Sequence, residues 1–408
     1  MKLFKHIFHK GKSFLLGAMV ISILGFTSCN NDDNNESPYV KGPKESTILV
    51  YAVASNSLEY NLSSDKAEIL AAAKNIDLSR NNILVYEINY DYAPKLLQLK
   101  AVSDQTYEFT VVKEYDNNET SLSTGRITDV IRDMETDFEA TTYGLILWSH
   151  GTGADPYFNN PTTRGIDWTY SEPAAYSFGY DRVEGSSSHY EMNIDDLARA
   201  LPDRKFRFIW FDACYMSGIE TLYQLRNKAD YIVAYPTEVY EMGMPYDLVL
   251  PHLTGSNPDL KGGAKEFFDY YALNPSSQLR NATIAVVDLS KIEPLADFCS
   301  SFYSKDLYPD VSVFQKYSRG SIGPFYDFSQ YSMKQGEGDP DNFSQEEWER
   351  VLNDFVIYRA TTDRDFNGNP INTKEYSGIS THIYNEYATS DKEIFYRTLD
   401  WYNRVFTE

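Results

Sequence analysis

Seven short apolar runs, separated by segments with helical spacing, constrain this chain more than any other feature. They are Thr47–Ala54, Asn82–Tyr90, Tyr107–Val112, Tyr143–Ser149, Arg207–Phe211, Tyr231–Tyr235 and Ala282–Val287. Several, TILVYAVA and YGLILWS among them, are apolar at consecutive positions rather than alternate ones. A strand of that kind keeps no face for water and must be covered on both sides. Between the runs the spacing predicts helices over Asp65–Asn75, Ser123–Glu139, Ile194–Leu201, Gly218–Lys228, Gly263–Ala272 and Lys291–Tyr303. Strand and helix in alternation specify an α/β fold: a three-layer α/β/α sandwich around a mostly parallel central sheet. Residues 47–330 carry this pattern. Residues 331–408 read as a C-terminal α/β extension packed on the same domain, with a helix over Gln345–Ala360, an apolar segment Ser377–Tyr384 and a final helix over Asp391–Phe406.

Charge narrows the partners. The 408 residues hold 59 acidic against 37 basic side chains, a net charge of −22, which repels a phosphate backbone. A nucleic-acid partner is therefore not expected, and the chain is read as a monomer. The N-terminus is the exception to the acidic balance. Lys2, Lys5, Lys10 and Lys12 precede an apolar run from Ser13 to Thr27, too short for a membrane span of about 20 residues. Residues 1–28 read as a removable export signal. The small residues before Cys29 resemble a bacterial lipobox, which implies cleavage there and lipidation of Cys29. Residues 29–46 begin with Asn30-Asn31-Asp32-Asp33 and have little to bury, so they read as a flexible acidic tether. An acidic stretch after a lipidated cysteine resembles the surface-export signal of Bacteroidetes lipoproteins. That implies an outer-membrane protein, facing the periplasm or the cell surface, whose one membrane contact is the lipid.

Three cysteines, Cys29, Cys214 and Cys299, rule out a disulfide framework. Cys299 lies on an apolar helix face and reads as a small buried hydrophobe, although a Cys214–Cys299 bridge is an alternative. Cys214 is different. In open α/β sheets ligands sit beyond the carboxyl ends of the strands, and two of the seven runs end in reactive groups. YGLILWS continues into His150-Gly151-Thr152-Gly153, and RFIWF into Asp212-Ala213-Cys214. On neighbouring parallel strands, an imidazole and a thiol emerge at one edge, as a cysteine nucleophile and its proton donor require. Gly151 allows close backbone approach and offers an N–H toward a developing oxyanion. Taken singly, a cysteine or a histidine at a strand end is more often structural; the pairing of the two carries the functional reading.

The same residues carry a family likeness. LILWSHGTG followed by FIWFDACYMSGIETLYQL resembles the clostripain-like cysteine peptidases, peptidase family C11, of the clan that includes caspases, gingipains and legumain. Tyr190–Leu201, Ala229–Leu250, Ile357–Thr362 and Ser377–Ile383 also look like family segments. The resemblance implies a caspase-like fold and an endopeptidase acting on protein or peptide substrates without a cofactor. By position, it implies that His150 is the catalytic histidine, Cys214 the nucleophile, and Gly151 with Cys214 the backbone oxyanion donors. Relatives cleave after Arg or Lys through an acidic S1 pocket, which implies Asp212 and, after the next strand, Glu238 or Glu241. The aromatic residue common just after the His-Gly segment is replaced here by Ala154-Asp155. Some relatives cut themselves between histidine and cysteine, where Arg164 and Arg182 lie in a Gly-, Ser- and Tyr-rich stretch, Thr152–Tyr190, that is long for a connection.

Asp363-Arg364-Asp365-Phe366-Asn367-Gly368 begins like a Ca²⁺-binding EF-hand loop, but Lys374 stands at the twelfth position where a glutamate is required. The string reads as a turn, and no Cys/His cluster suggests a metal site. Two rival functions stay open on sequence. A Tyr-rich, lipid-anchored chain suits a non-catalytic surface protein that binds peptide or glycan, and the same acyl-enzyme would serve transpeptidation.

Overall fold

The computed structural model describes residues 43–89, 92–153, 177–182, 189–319, 322–384 and 390–406. Residues Val40–Glu408 form one compact unit; Met1–Tyr39, which holds Cys29 and the segment read as an export signal, lies outside the described residues.

The consecutive apolar runs form strands buried on both faces, whereas the run Tyr107–Val112 is largely exposed. The strands are β1 (Lys44–Val53), β2 (Asn81–Ile88), β3 (Lys95–Ser103), β4 (Thr106–Glu114), β5 (Ala140–Trp148), β6 (Phe178–Arg182) and β7 (His189–Met192). They continue with β8 (Phe206–Asp212), β9 (Ala229–Ala234), β10 (Thr283–Asp288), β11 (Lys316–Arg319), β12 (Ile322–Asp327), β13 (Val356–Thr361) and β14 (Ser380–Thr381). Nine of these form one sheet in the order β13-β10-β9-β8-β5-β1-β2-β3-β4. Its centre, β2, β1, β5, β8 and β9, is parallel, and both wings are antiparallel.

Alternate side chains of the central strands enter two different cores. From β1, Leu49, Tyr51 and Val53 enter one core and Ile48, Val50 and Ala52 the other. The first is closed by α2 (Thr124–Asp137), α3 (Ile194–Ala200), α4 (Ile219–Gln224), α7 (Ile292–Phe302), α9 (Gln345–Phe355) and α11 (Asp400–Phe406). The second is closed by α1 (Glu59–Ala72), α5 (Tyr246–Val249) and α6 (Leu260–Ala272). Each fully buried Leu or Val contributes roughly 1.5–3 kcal/mol relative to exposure, so this double alternation fixes the register of every central strand. Two further helices, α8 (Phe328–Glu337) and α10 (Asp391–Tyr396), follow β12 and precede α11.

The expected helix over Gln345–Ala360 ends at Phe355. Val356–Thr361 is instead β13, paired antiparallel with β10 at the sheet edge, which its β-branched and aromatic residues favour. The expected final helix breaks at Arg397–Leu399 into α10 and α11. Strand β3 escaped the pattern because Gln98 and Lys100 interrupt its apolar residues, and only Leu96, Leu97 and Leu99 are buried. The β6–β7 hairpin lies inside the stretch read as a long connection. Phe178 and Tyr180 are buried there, and Gly179, at φ 82°, keeps a Cβ out of the Leu122 side chain.

Candidate active site

The site is built by register. Ala52 of β1 pairs with Trp148 of β5, and Trp148 pairs with Asp212 of β8. His150 and Cys214 each follow two residues beyond that level, at the carboxyl edge of adjacent parallel strands. The backbones behind them stay close: Ser149 N–H donates to the Asp212 carbonyl at 3.4 Å. A Cβ on Gly151 would lie 2.7 Å from the Cys214 carbonyl oxygen and 3.0 Å from the Ala213 Cβ, so no side chain fits at this position. Tyr215 and Gly153 face each other across the same gap, both with positive φ, at 62° and 70°.

Cys214 is half-buried and unbridged. Val239 N–H donates to its Sγ at 3.4 Å, and the Val239 carbonyl oxygen lies 3.9 Å away. Cys299 is also a free thiol, sealed within α7 in the core. His150 is half-buried. Its Nε2 lies 3.0 Å from Ser57 Oγ, and the Tyr180 ring stands edge-on at 6.2 Å. Behind Tyr180, His189 stacks at 4.2 Å and bonds Glu191 at 2.7 Å. The other two described histidines are occupied elsewhere, His252 by Asp259 and His382 by Glu393.

The three acids beyond the sulfur differ in depth. Asp212 is 4 % exposed and accepts Met244 N–H at 3.1 Å and the Tyr246 hydroxyl at 3.2 Å. Gly243, at φ 59°, makes this fit possible, since its Cβ would sit 2.8 Å from the carboxylate. Burial pushes the Asp212 carboxyl up to about 6 despite those donors. Asp65, bonded by the Trp148 indole at 2.7 Å, is driven further, to about 9, by burial and by the nearby Asp212 and Glu68. Glu238 is buried and bonded by the Asn367 amide, whereas Glu241 is exposed. Asn367 belongs to the string that begins like an EF-hand. That string folds as a hairpin turn, with Asp365 accepting the Asn369 N–H at 2.8 Å and its amide at 2.9 Å. Among the described residues, no group of three His, Cys, Asp or Glu is placed to hold a metal ion.

Arg182 is exposed at the end of β6, its N–H donating to the Ser55 carbonyl at 3.1 Å. Arg164 and Ala154-Asp155 lie outside the described residues. Sequence reasoning missed Ser57, Tyr180 and Asp65. Ser57 was within reach of the strand-end rule, because Ser55-Asn56-Ser57 follows directly on TILVYAVA; Tyr180 and Asp65 reach the site only through tertiary packing.

A thiol and an imidazole at the carboxyl edge of adjacent parallel strands, with closely approaching backbone, are the arrangement a cysteine peptidase requires. The family model of the clostripain family, peptidase C11, matches residues 50–339, and the chain belongs to that family. It is similar to clostripain of Hathewaya histolytica, 24 % identical over 442 residues, with 88 % of this chain and 80 % of that protein covered. Among solved structures it is similar to a secreted C11 cysteine protease from Bacteroides thetaiotaomicron in complex with an irreversible peptide inhibitor. That pair shares 29 % identity and a TM-score of 0.74, covering 88 % of this chain and 98 % of the other. It is also similar to an inactive zymogen C11 protease from Parabacteroides distasonis, at 30 % identity and a TM-score of 0.73, covering 90 % and 99 %. The protein is a clostripain-like cysteine peptidase, which counts against the rival reading of a non-catalytic binding protein.

Proposed function

We propose that the chain hydrolyses peptide bonds through a Cys214–His150 dyad. The observation that carries this reading is the shared register of β5 and β8, which sets both side chains two residues past paired positions, with Gly151 against the Cys214 backbone. The Cys214 thiolate attacks the scissile carbonyl carbon, forming the C–S bond, and the oxygen takes up the charge. The Gly151 and Cys214 N–H groups stabilise that oxyanion. As the C–N bond breaks, His150 gives its proton to the departing amine. Water then attacks the thioester with His150 as base, releasing the acid and restoring the thiol.

The reading extends to specificity, with Arg or Lys preferred at P1. Glu238 and Glu241 meet the incoming cation near the surface, and Asp212 supplies negative charge from beneath. A guanidinium or ammonium facing partly desolvated carboxylates is a strong and directional contact. Self-processing is assigned to Arg164 rather than Arg182, because Arg182 is tied into β6 through its own N–H. Export is supported by the N-terminal signal and by the secreted relative from Bacteroides; anchoring through a lipid on Cys29 completes the reading. Residues 331–408 serve as an extension of the peptidase domain, since β13 joins the central sheet.

The test is a peptide-library cleavage profile of the wild-type protein beside Cys214→Ala. Cleavage after basic residues by the wild type alone is the expected result. Equal cleavage by both proteins overturns the dyad, and a profile without basic P1 residues overturns the specificity.

A further inference from the structure

Three adjacent parallel strands, β8, β5 and β1, deliver Cys214, His150 and Ser57 to one edge of the sheet. We propose that Ser57 is a positioning residue for His150, accepting the Nε2–H bond and so directing the proton chemistry through Nδ1. The inference rests on the dyad reading above and adds a third member to it.

The turn that carries Ser57 is held by its neighbours. The Asn56 amide donates to the Val53 carbonyl at 2.8 Å and the Tyr180 carbonyl at 2.7 Å, while its Oδ1 accepts Leu58 N–H at 2.9 Å. The Ser149 hydroxyl, one residue before His150, donates to the same Val53 carbonyl at 2.8 Å. Ser55 bonds Asp181, which also accepts Ser121 N–H at 2.8 Å. The serine hydroxyl and the imidazole are thus fixed to one another through both backbones, and the 3.0 Å contact between them is not a chance meeting of two surface side chains.

The contact has a chemical consequence. A neutral imidazole carries one N–H, and which nitrogen holds it is set by the partner of the other. With Ser57 accepting from Nε2, Nδ1 is the nitrogen that takes the thiol proton and later gives it to the leaving amine. The imidazolium, a donor at both nitrogens, keeps the Ser57 bond and is stabilised by it relative to the neutral ring. Among the described residues, the groups near His150 that carry or gain charge include Cys214 past the end of β8, Tyr180 of β6 with Arg182 beside it, and the His189–Glu191 pair of β7. None of them is altered by a change at Ser57.

Ser57→Ala and Ser57→Thr separate positioning from packing. Because Ser57 is exposed, water partly replaces its hydroxyl, so Ser57→Ala is expected to lower kcat by roughly ten-fold with KM little changed. The alkaline limb of its kcat/KM profile is expected to move to lower pH, and Ser57→Thr, which keeps the hydroxyl, to restore both. A second readout needs no turnover: in histidine-labelled protein the ¹⁵N shifts of His150 report which nitrogen is protonated. The wild type should hold the proton on Nε2, and Ser57→Ala should lose that bias. Unchanged kinetics and unchanged shifts in Ser57→Ala overturn the positioning role. If Cys214→Ala retains full cleavage while the shifts respond to Ser57, the dyad fails and the Ser57–His150 contact stands.

Discussion

Cys214 and Cys299 carry the same side chain into opposite surroundings. Cys299 sits inside α7 with no exposed surface, and burial pushes its thiol far above the ordinary range. A thiolate there would lose its water with no positive charge to replace it. Cys214 lies past the end of a strand, half-buried, with a backbone N–H on its sulfur and a histidine at the next strand end. Reactivity in this fold follows from where the chain leaves the sheet: helices deliver side chains into the cores, and parallel strand ends deliver them to one shared edge.

The largest expected effect breaks or upholds that contrast directly. Cys214→Ala should lose at least about 10³-fold in kcat/KM with thermal stability unchanged, whereas Cys299→Ala should keep its turnover and lose about 1 kcal/mol of stability from the small cavity. Site-resolved mass spectrometry after brief treatment with iodoacetamide should find Cys214 alkylated in native protein and Cys299 only after unfolding. Labelling of Cys299 at the native rate of Cys214 would sink the distinction.

That contrast was partly legible in the sequence. Consecutive apolar residues in TILVYAVA and YGLILWS give the doubly covered parallel strands, and His150 and Cys214 are visible because each follows such a run within three residues. The wings were less legible. Gln98 and Lys100 interrupt the apolar residues of β3, and β13 continues from α9 without a break in composition, so only pairing with β10 decides that it is a strand. Asp212 was found as an acid next to the nucleophile. Its burial was not foreseen, because Met244, Tyr246 and Asp65 reach it from segments far away in the chain.

Burial of Asp212 sharpens the comparison by giving the site a pH signature in the acidic range, whereas the raised Cys299 thiol acts only at alkaline pH. Its carboxyl titrates at about 6 in the folded chain, against an ordinary 3.8, so between those values the native state binds more protons than the unfolded one. Stability is therefore fullest below about pH 4 on this account and falls as pH rises toward 6, by about 3 kcal/mol at most. Asp212→Asn should remove that slope in urea titrations carried out from pH 4 to 7. An identical slope in the variant would contradict the burial argument. Asp65 contributes a slope of the same sign extending to higher pH, since its carboxyl is pushed up to about 9. Asp65→Asn in the Asp212→Asn background isolates it.

On the proposed S1 role, ionised Asp212 favours a basic P1 side chain, so the same substitution has a kinetic side. A charge-assisted contact is worth about 1.5–3 kcal/mol, so Asp212→Asn should lower kcat/KM for Arg and Lys substrates by roughly 10- to 100-fold and leave neutral P1 substrates nearly unchanged. For the wild type, the preference for basic over neutral P1 should grow as pH rises through 6. A preference that stays flat across that range separates Asp212 from specificity while leaving its effect on stability intact.

The smallest effects belong to the two acids nearer the surface, and depth orders them as it orders the cysteines. Glu238 is buried and held by the Asn367 amide, so its charge is weakly screened and its direction is fixed. Glu241 is exposed, and water and salt screen its charge. Glu238→Gln should raise KM for an Arg P1 substrate by roughly five- to ten-fold, and Glu241→Gln by less than about two-fold, an effect that disappears at 0.5 M salt. The Glu238 effect should persist in that salt. If Glu241→Gln gives the larger loss, the incoming cation is read at the rim of the site, and the hairpin turn around Asn367 holds Glu238 for structure rather than for substrate.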